Sequence, residues 1–109
     1  MIFRRTALYY VNARAKVQIV RIVKALISYL IDIGQPQPED GFDLTILTLR
    51  QEEGGGPNGP YLPKVTDVTD PWGLNFIVCV PAEVNLDYDI VSFGADKASG
   101  LIVKTRKGN

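Results

Sequence analysis

Four side chains in the C-terminal half of the chain have types that could carry chemistry: Cys79, Asp87, Asp89 and Ser92. Two carboxylates spaced by two residues share one face of a strand, where they could exchange protons or hold a cation. Because the chain contains no histidine, Ser92 has no base of the kind that a Ser-His-Asp triad needs. The thiol of Cys79 lies in an apolar run and also lacks a histidine partner. We therefore expect a solvated acidic face, a buried and unreactive thiol, and a protein that is not an enzyme.

Length and composition indicate one ordinary globular unit. The chain has 109 residues, and we expect residues 1–109 to form a single domain. Its hydrophobic content of 46% and charged content of 22% argue against disorder. No run approaches the roughly 18–20 apolar residues that span a bilayer, so we expect a soluble chain.

The net charge of zero conceals a separation of charges along the chain. Residues 1–24 hold six basic residues and no acid, whereas residues 32–96 hold all twelve acids and only Arg50 and Lys64 as bases. One interpretation is a solvated basic helix beside an acidic body, and the other is attraction between subunits. No nucleic-acid-binding motif accompanies the basic residues, so we expect no nucleic-acid partner.

A long helix is predicted over residues 8–33, because apolar residues recur there at intervals of three or four. This stripe consists of Leu8, Val11, Ala15, Ile19, Ile22, Leu26, Tyr29 and Ile33. Gly34 is suited to end the helix, and Pro36 prevents its continuation.

A second set of apolar positions widens the hydrophobic surface of the same helix: Val20, Val23, Ile27, Leu30 and Ile31. Such a helix must be covered on most of its sides. Either the loop over residues 35–70 covers this additional surface, or neighbouring helices in an assembly do so.

The rest of the chain predicts short elements joined by loops. Asp43 or Thr45 could open a short helix over residues 44–50, and residues 52–60 contain too much glycine and proline for regular structure. Strands are predicted over residues 74–80, 88–93 and 101–105. Short links between consecutive strands favour an antiparallel meander. The predicted fold is α+β, with a long N-terminal helix packed on an antiparallel sheet of about three strands.

Three sequence segments follow the long apolar helix in a characteristic order. They are Gly-Pro-Tyr-Leu-Pro-Lys at 59–64, Asp-Pro-Trp-Gly at 70–73 and Tyr-Asp-Ile-Val-Ser-Phe-Gly-Ala-Asp at 88–96. The second of these fits a type I turn. In this order the chain resembles the major pseudopilin of the bacterial type II secretion system, protein G. The resemblance implies a type IV pilin-like fold in the periplasmic domain of an inner-membrane-anchored protein, whose membrane helix is absent from this chain.

The resemblance also implies a calcium ion in the loop that begins at residue 93. Asp96 would supply a side-chain oxygen, and Phe93 would supply its backbone carbonyl. Calcium requires six to eight oxygen ligands, and carboxylates are prominent among them. No acidic residue follows Asp96 in this chain, and Lys97 places a positive charge beside it. We therefore expect weak or no calcium binding.

The resemblance implies a structural role, in which copies of the chain polymerise into a helical filament that helps to drive protein export. Minor pseudopilins and inner-membrane secretion components would be its other partners. The expected assembly residues are Ile19, Ile22, Val23, Leu26, Leu30, Ile33 and Trp72. Trp72 is expected to pack over the edge of the sheet. The alternative is a small monomeric binding module or adhesin that uses Tyr61, Trp72 and residues 52–60.

Overall fold

The computed structural model describes residues 7–8, 13–82, 85, 87–92 and 100–102, and the side chains of residues 16–82, 85 and 87–92. Within these residues, one long α-helix and a small β-sheet are connected by a segment that contains three short 3₁₀-helices. The predicted α+β class is confirmed. The helix and strands are β1 (Ala7–Leu8), α1 (Ala13–Ile33), β2 (Ile77–Cys79), β3 (Asp89–Ser92) and β4 (Gly100–Ile102).

Helix α1 ends at the predicted position. Gly34 has a φ of 75°, a conformation that glycine adopts without a side-chain clash. Its N–H donates to the carbonyl of Ile31 at 3.2 Å, and the N–H of Gln35 donates to the carbonyl of Leu30 at 3.0 Å. This pair of hydrogen bonds is a Schellman motif, which satisfies carbonyls that the end of a helix leaves without partners.

The predicted start of the helix is wrong at Leu8. Ala7 and Leu8 form strand β1, which pairs in parallel with Gly100 and Leu101 of β4. Pairing with a strand from the far end of the chain is not visible in a local apolar spacing, so periodicity alone assigned Leu8 to the helix. Residues 9–12 lie outside the described residues.

The sheet has four strands in the order β1-β4-β3-β2, rather than about three. Strands β2, β3 and β4 pair antiparallel, with Val78 opposite Ile90 and Ser92 opposite Leu101. The additional strand is β1. Strand β2 is shorter than the predicted run 74–80, β3 begins one residue later than predicted and β4 one residue earlier, and residues 93 and 103–105 lie outside the described residues.

Backbone and side-chain groups from an earlier part of the chain cover the outer edge of β2. The N–H of Gly41 donates to the carbonyl of Val78 at 2.8 Å, and Oδ1 of Asp40 accepts from the N–H of Val80 at 2.8 Å. These bonds occupy the carbonyl of Val78 and the N–H of Val80, with which a strand added at this edge would have to pair. Strand addition at this edge is therefore obstructed.

The predicted short helix after Asp43 is a 3₁₀-helix, Leu44–Thr48. Oδ1 of Asp43 caps it by accepting from the backbone N–H of Thr45 at 3.0 Å and from its hydroxyl at 2.7 Å. Leu44 and Leu47 are buried, whereas Leu49 is only half-buried.

The segment predicted to lack regular structure contains a single 3₁₀-turn, Gln51–Glu53, and then packs closely against its surroundings. Gly56 is buried, and a Cβ atom added there would lie 2.7 Å from both Cδ1 of Tyr29 and the hydroxyl of Tyr61. Only glycine allows the backbone to approach these two rings so closely.

The predicted turn over residues 70–73 is confirmed, since the N–H of Gly73 donates to the carbonyl of Asp70 at 3.0 Å. The carboxylate of Asp70 reinforces the turn, because its Oδ1 accepts from the N–H groups of Trp72 at 3.0 Å and Leu74 at 2.8 Å. Its Oδ2 accepts from the hydroxyl of Ser92 at 2.6 Å. Asp70 thus connects the turn to the end of β3.

The hydrophobic core lies between α1, the sheet and the connecting segment. Its members are Ile19, Ile22, Ala25, Leu26, Leu30, Leu44, Leu47, Leu62, Val68, Phe76, Val78 and Ile90. All three parts of the fold contribute to this one cluster. Packing into it determines which side of α1 is buried and which side remains exposed.

Candidate assembly surface

An apolar ridge runs along the exposed side of α1. Val17, Ile27 and Ile31 are 60%, 46% and 72% exposed, and Val20 is half-buried. Together with Lys24 they follow one another at intervals of three, four, three and four residues, the spacing of a helix seam that meets a partner. We call Val17, Val20, Lys24, Ile27 and Ile31 the outer ridge. Large apolar side chains exposed side by side mark a contact surface.

Apart from Asp32 near the end of the helix, the charged side chains on α1 beside the outer ridge are basic. Between residues 16 and 31 the helix carries Lys16, Arg21 and Lys24, all exposed, and no acid. Nη1 of Arg21 lies 3.4 Å from Oδ1 of Asp67, an ion pair at the surface. Surface pairs of this kind contribute little to stability. The ridge therefore combines apolar contact area with positive charge.

A cleft of about 320 Å³ lies beside the ridge, between α1 and residues 61–63. On the helix side it is lined by Arg21, Lys24, Ala25 and Ser28, and on the other side by Tyr61, Leu62 and Pro63. Two cations and a hydroxyl along one wall suit an acidic side chain.

A hydrogen-bonded clamp holds the second wall of this cleft against the end of α1. Oδ2 of Asp32 accepts from the hydroxyl of Tyr61 at 2.6 Å and from Nδ2 of Asn58 at 2.9 Å. The ring of Tyr61 meets that of Tyr29 edge-on, with centroids 5.7 Å apart. The hydrogen bond from Tyr61, followed by that from Asn58, lowers the pKa of Asp32 below its usual value. Burial, and then the bond to Asp32, raises the pKa of Tyr61.

Replacing Asp32 by asparagine is expected to lower the melting temperature at pH 7 by a modest amount, because the charged acceptor is lost. A carboxylate whose pKa is lowered by folding contributes stability that is present above its unfolded value of about 3.9 and is lost as the pH falls through the folded pKa. The difference between parent and Asp32→Asn should therefore close in acid. Melting curves at pH 7 and below pH 3 test this. A gap that stays constant with pH would show that the charge of Asp32 is not involved, and Tyr61→Phe is the matched variant at the other end of the bond.

The residues expected to mediate assembly are distributed between the core and the surface. Ile19, Ile22, Leu26 and Leu30 are buried within the chain's own core, and Val23 is half-buried. Ile33 is 36% exposed and Trp72 is 42% exposed. Among the side chains of α1 that the structure describes, the most exposed apolar ones are instead Val17, Ile27 and Ile31. The apolar positions of the second stripe were the sequence signal for Ile27 and Ile31, but spacing alone did not show which stripe the sheet covers.

The expectations for the acidic pair and the thiol need correction. Asp89 is fully buried and accepts from the backbone N–H and from Nδ2 of Asn85, both at 2.9 Å, so it does not belong to a solvated face. Asp87 is exposed and precedes the strand, because β3 begins at Asp89. Cys79 is half-buried rather than buried. Asn85 explains the burial of Asp89, because its donors offset part of the cost of burying that carboxylate.

The two residues named for calcium, Phe93 and Asp96, lie outside the described residues. In the part of the chain that the structure describes, no group of three or more Cys, Asp or Glu side chains is arranged to hold a metal ion. Only the sequence therefore bears on calcium binding in this loop. In it, Asp96 is the only acid after Asp89.

The described residues form a long helix on a small sheet, with an apolar and basic surface exposed on the helix. The family model for type II secretion system (T2SS), protein G, matches residues 10–105, and the chain belongs to this family. The resemblance to the major pseudopilin is thereby confirmed. The chain has a role in type II secretion as a structural component, and the family is not one of enzymes.

Other comparisons add no relatives, because no curated protein and no solved structure shows significant similarity to the chain. Among the residues that the structure describes, no helix has both the length and the apolar character needed to cross a membrane. Family membership nonetheless connects the chain with a membrane-associated secretion system.

Proposed function

We propose that this chain is the repeating subunit of the pseudopilus, a filament that grows by addition of copies and helps to drive proteins across the outer membrane. The observation that carries the proposal is the outer ridge, with Ile27 46% and Ile31 72% exposed on the longest element of the fold. Membership in the protein G family supports it. Within the filament, the ridge is covered by a neighbouring copy, which removes its apolar surface from water.

The proposed setting is the periplasm, where the chain is the pilin-like domain of an inner-membrane-anchored protein. Its further partners are minor pseudopilins and inner-membrane components of the secretion system, and it binds no nucleic acid. A monomeric binding module built on Tyr61 has less support, because the hydroxyl and ring of Tyr61 are already engaged by Asp32 and Tyr29.

The ridge variant Ile27→Asp/Ile31→Asp is expected to abolish self-association while leaving the fold intact, because both side chains are exposed and a charge there is solvated. Sedimentation velocity over a range of concentrations measures this. The parent should sediment faster as its concentration rises, whereas the variant should remain monomeric. A matched control is Val65→Asp, which changes another exposed apolar residue, 55% exposed, that is not part of the outer ridge. Equal association of parent and ridge variant would contradict the proposal.

Calcium is proposed to be dispensable for the fold of this member of the family. After Asp96 the chain offers no further carboxylate, and the affinity of a calcium site depends on the number and charge of its oxygen ligands. A ligand stabilises the native state in proportion to the logarithm of its excess over the dissociation constant. Millimolar calcium should therefore change the melting temperature very little, and a chelator should not unfold the chain. A rise of many degrees that Asp96→Ala abolishes would overturn this proposal.

A further inference from the structure

The charges along the outer ridge restrict what can cover it. Lys24 lies within the ridge, between Val20 and Ile27, and Lys16 and Arg21 flank it. If two copies met ridge to ridge, the contact would bring these cations together, and the single acid of each α1, Asp32, is already engaged as a hydrogen-bond acceptor. Like charges placed together in an interface cost several kilocalories per mole. The surface that covers the ridge must therefore supply acidic side chains.

The chain itself carries such a surface in residues 39–53. This segment contains five acids and one base, and all five acidic side chains are exposed: Glu39, Asp40, Asp43, Glu52 and Glu53. The single base, Arg50, already pairs with Glu53 at 3.3 Å and with Glu52 at 3.7 Å. Exposed apolar contact area is available within the segment as well, because Ile46 and Leu49 are only half-buried.

One copy cannot bring its own acidic segment onto its own ridge. Leu44 and Leu47 anchor the segment in the core, where Leu26 and Leu30 also lie. At 3.6 residues per turn, the centre of the ridge lies about a third of a turn around α1 from these core positions. The two complementary surfaces therefore face different directions, as a head-to-tail contact requires.

We infer that the outer ridge and the adjoining cleft are covered by the acidic segment, residues 39–53, of a second copy of this chain. An acidic side chain of that segment enters the cleft beside Lys24 and Ser28, and the apolar ridge packs against the rest of the segment. The contact is heterologous, so it leaves a free ridge at one end and a free acidic segment at the other, and assembly continues without closing. The inference rests on the proposed function and adds to it the identity of the partner surface.

Disulfide cross-linking tests the pairing without removing any of the charges. In a Cys79→Ser background, Ser28→Cys places a thiol beside the cleft and Gln51→Cys places one in the acidic segment. Under a mild oxidant the double variant should form a covalent ladder of dimers, trimers and longer species, and each single variant should form no cross-linked species. Addition of 1 M salt should reduce the yield, because it screens exposed charges.

Charge reversal tests complementarity in the same double-cysteine background. Lys16→Glu/Lys24→Glu and Glu39→Lys/Glu52→Lys should each lower the yield of the ladder about tenfold, and an equal mixture of the two should restore it. In the described residues, none of these four side chains caps a helix or a strand. The fold should therefore persist in both variants, and circular dichroism checks that it does.

Two outcomes would overturn the inference while leaving the proposed function standing. In the first, Ser28→Cys alone gives dimers and Glu39→Lys/Glu52→Lys has no effect, which indicates a ridge-to-ridge contact. In the second, no variant forms a ladder although Ile27→Asp/Ile31→Asp still abolishes self-association, which indicates that a different surface covers the ridge. If the ridge variant associates like the parent, the proposed function itself fails.

Discussion

Replacing Leu26 by aspartate is expected to destabilise the domain by several kilocalories per mole, a large part of the ~5–15 kcal/mol by which domains are usually stable. Leu26 is fully buried in the face of α1 that packs into the core, beside Ile22 and Leu30. A carboxylate introduced there loses its hydration and gains no cation, so it either unfolds the chain or remains protonated. Urea unfolding measures the change in free energy.

The adjacent residue provides the matched control. Ile27 is 46% exposed, and Ile27→Asp places the same charge one position further along the same helix. Its effect on the free energy of unfolding should be within about 0.5 kcal/mol, as is usual for surface substitutions. If Leu26→Asp unfolds at the same urea concentration as the parent, then the assignment of the two faces of α1 is wrong.

Replacing Asp70 by alanine is expected to cost roughly 3 kcal/mol, because it leaves one buried and two partly buried donors without their acceptor. Asp70 is 4% exposed, and its carboxylate accepts from two backbone N–H groups of the turn and from the hydroxyl of Ser92. The substitution therefore disrupts the turn and separates it from the end of β3. Thermal and urea unfolding both report the loss.

Two milder variants identify the cause of that loss. Asp70→Asn retains an oxygen for the N–H groups of Trp72 and Leu74, so it should be less destabilising than Asp70→Ala. Ser92→Ala removes one donor to the buried carboxylate, which keeps those of Trp72 and Leu74, so it should also cost less than the loss of Asp70. Equal stability of the parent and Asp70→Ala would show that these hydrogen bonds are not significant for the fold.

The sequence predicted the features of the fold that depend on neighbouring residues. The spacing from Ile19 to Ile33 and the glycine at position 34 determined the body and the end of α1, because both signals act within a few residues. The order Asp-Pro-Trp-Gly at 70–73 predicted a turn for the same reason. The three segments that resemble protein G led to the family, which the match over residues 10–105 confirms.

Features that depend on distant residues were not predictable in this way. The hydrogen bond between Ser92 and Asp70 joins residues 22 apart, and that between Tyr61 and Asp32 joins residues 29 apart. Burial of Asp89 and pairing of β1 with β4 likewise depend on how the chain folds back on itself. Which side of α1 is exposed also depends on tertiary packing. Both apolar stripes of α1 have helical spacing, and only packing determines which one the sheet covers.

The central claim, that this chain works as an assembling subunit through the outer ridge, is tested most directly by export in a cell whose own copy of the gene is deleted. The complete gene is supplied as the parent, as Ile27→Asp/Ile31→Asp or as the Val65→Asp control, and secreted protein in the medium is measured at equal subunit levels. The account predicts that the parent and Val65→Asp restore export and that the ridge variant does not. Full export with the ridge variant would contradict it.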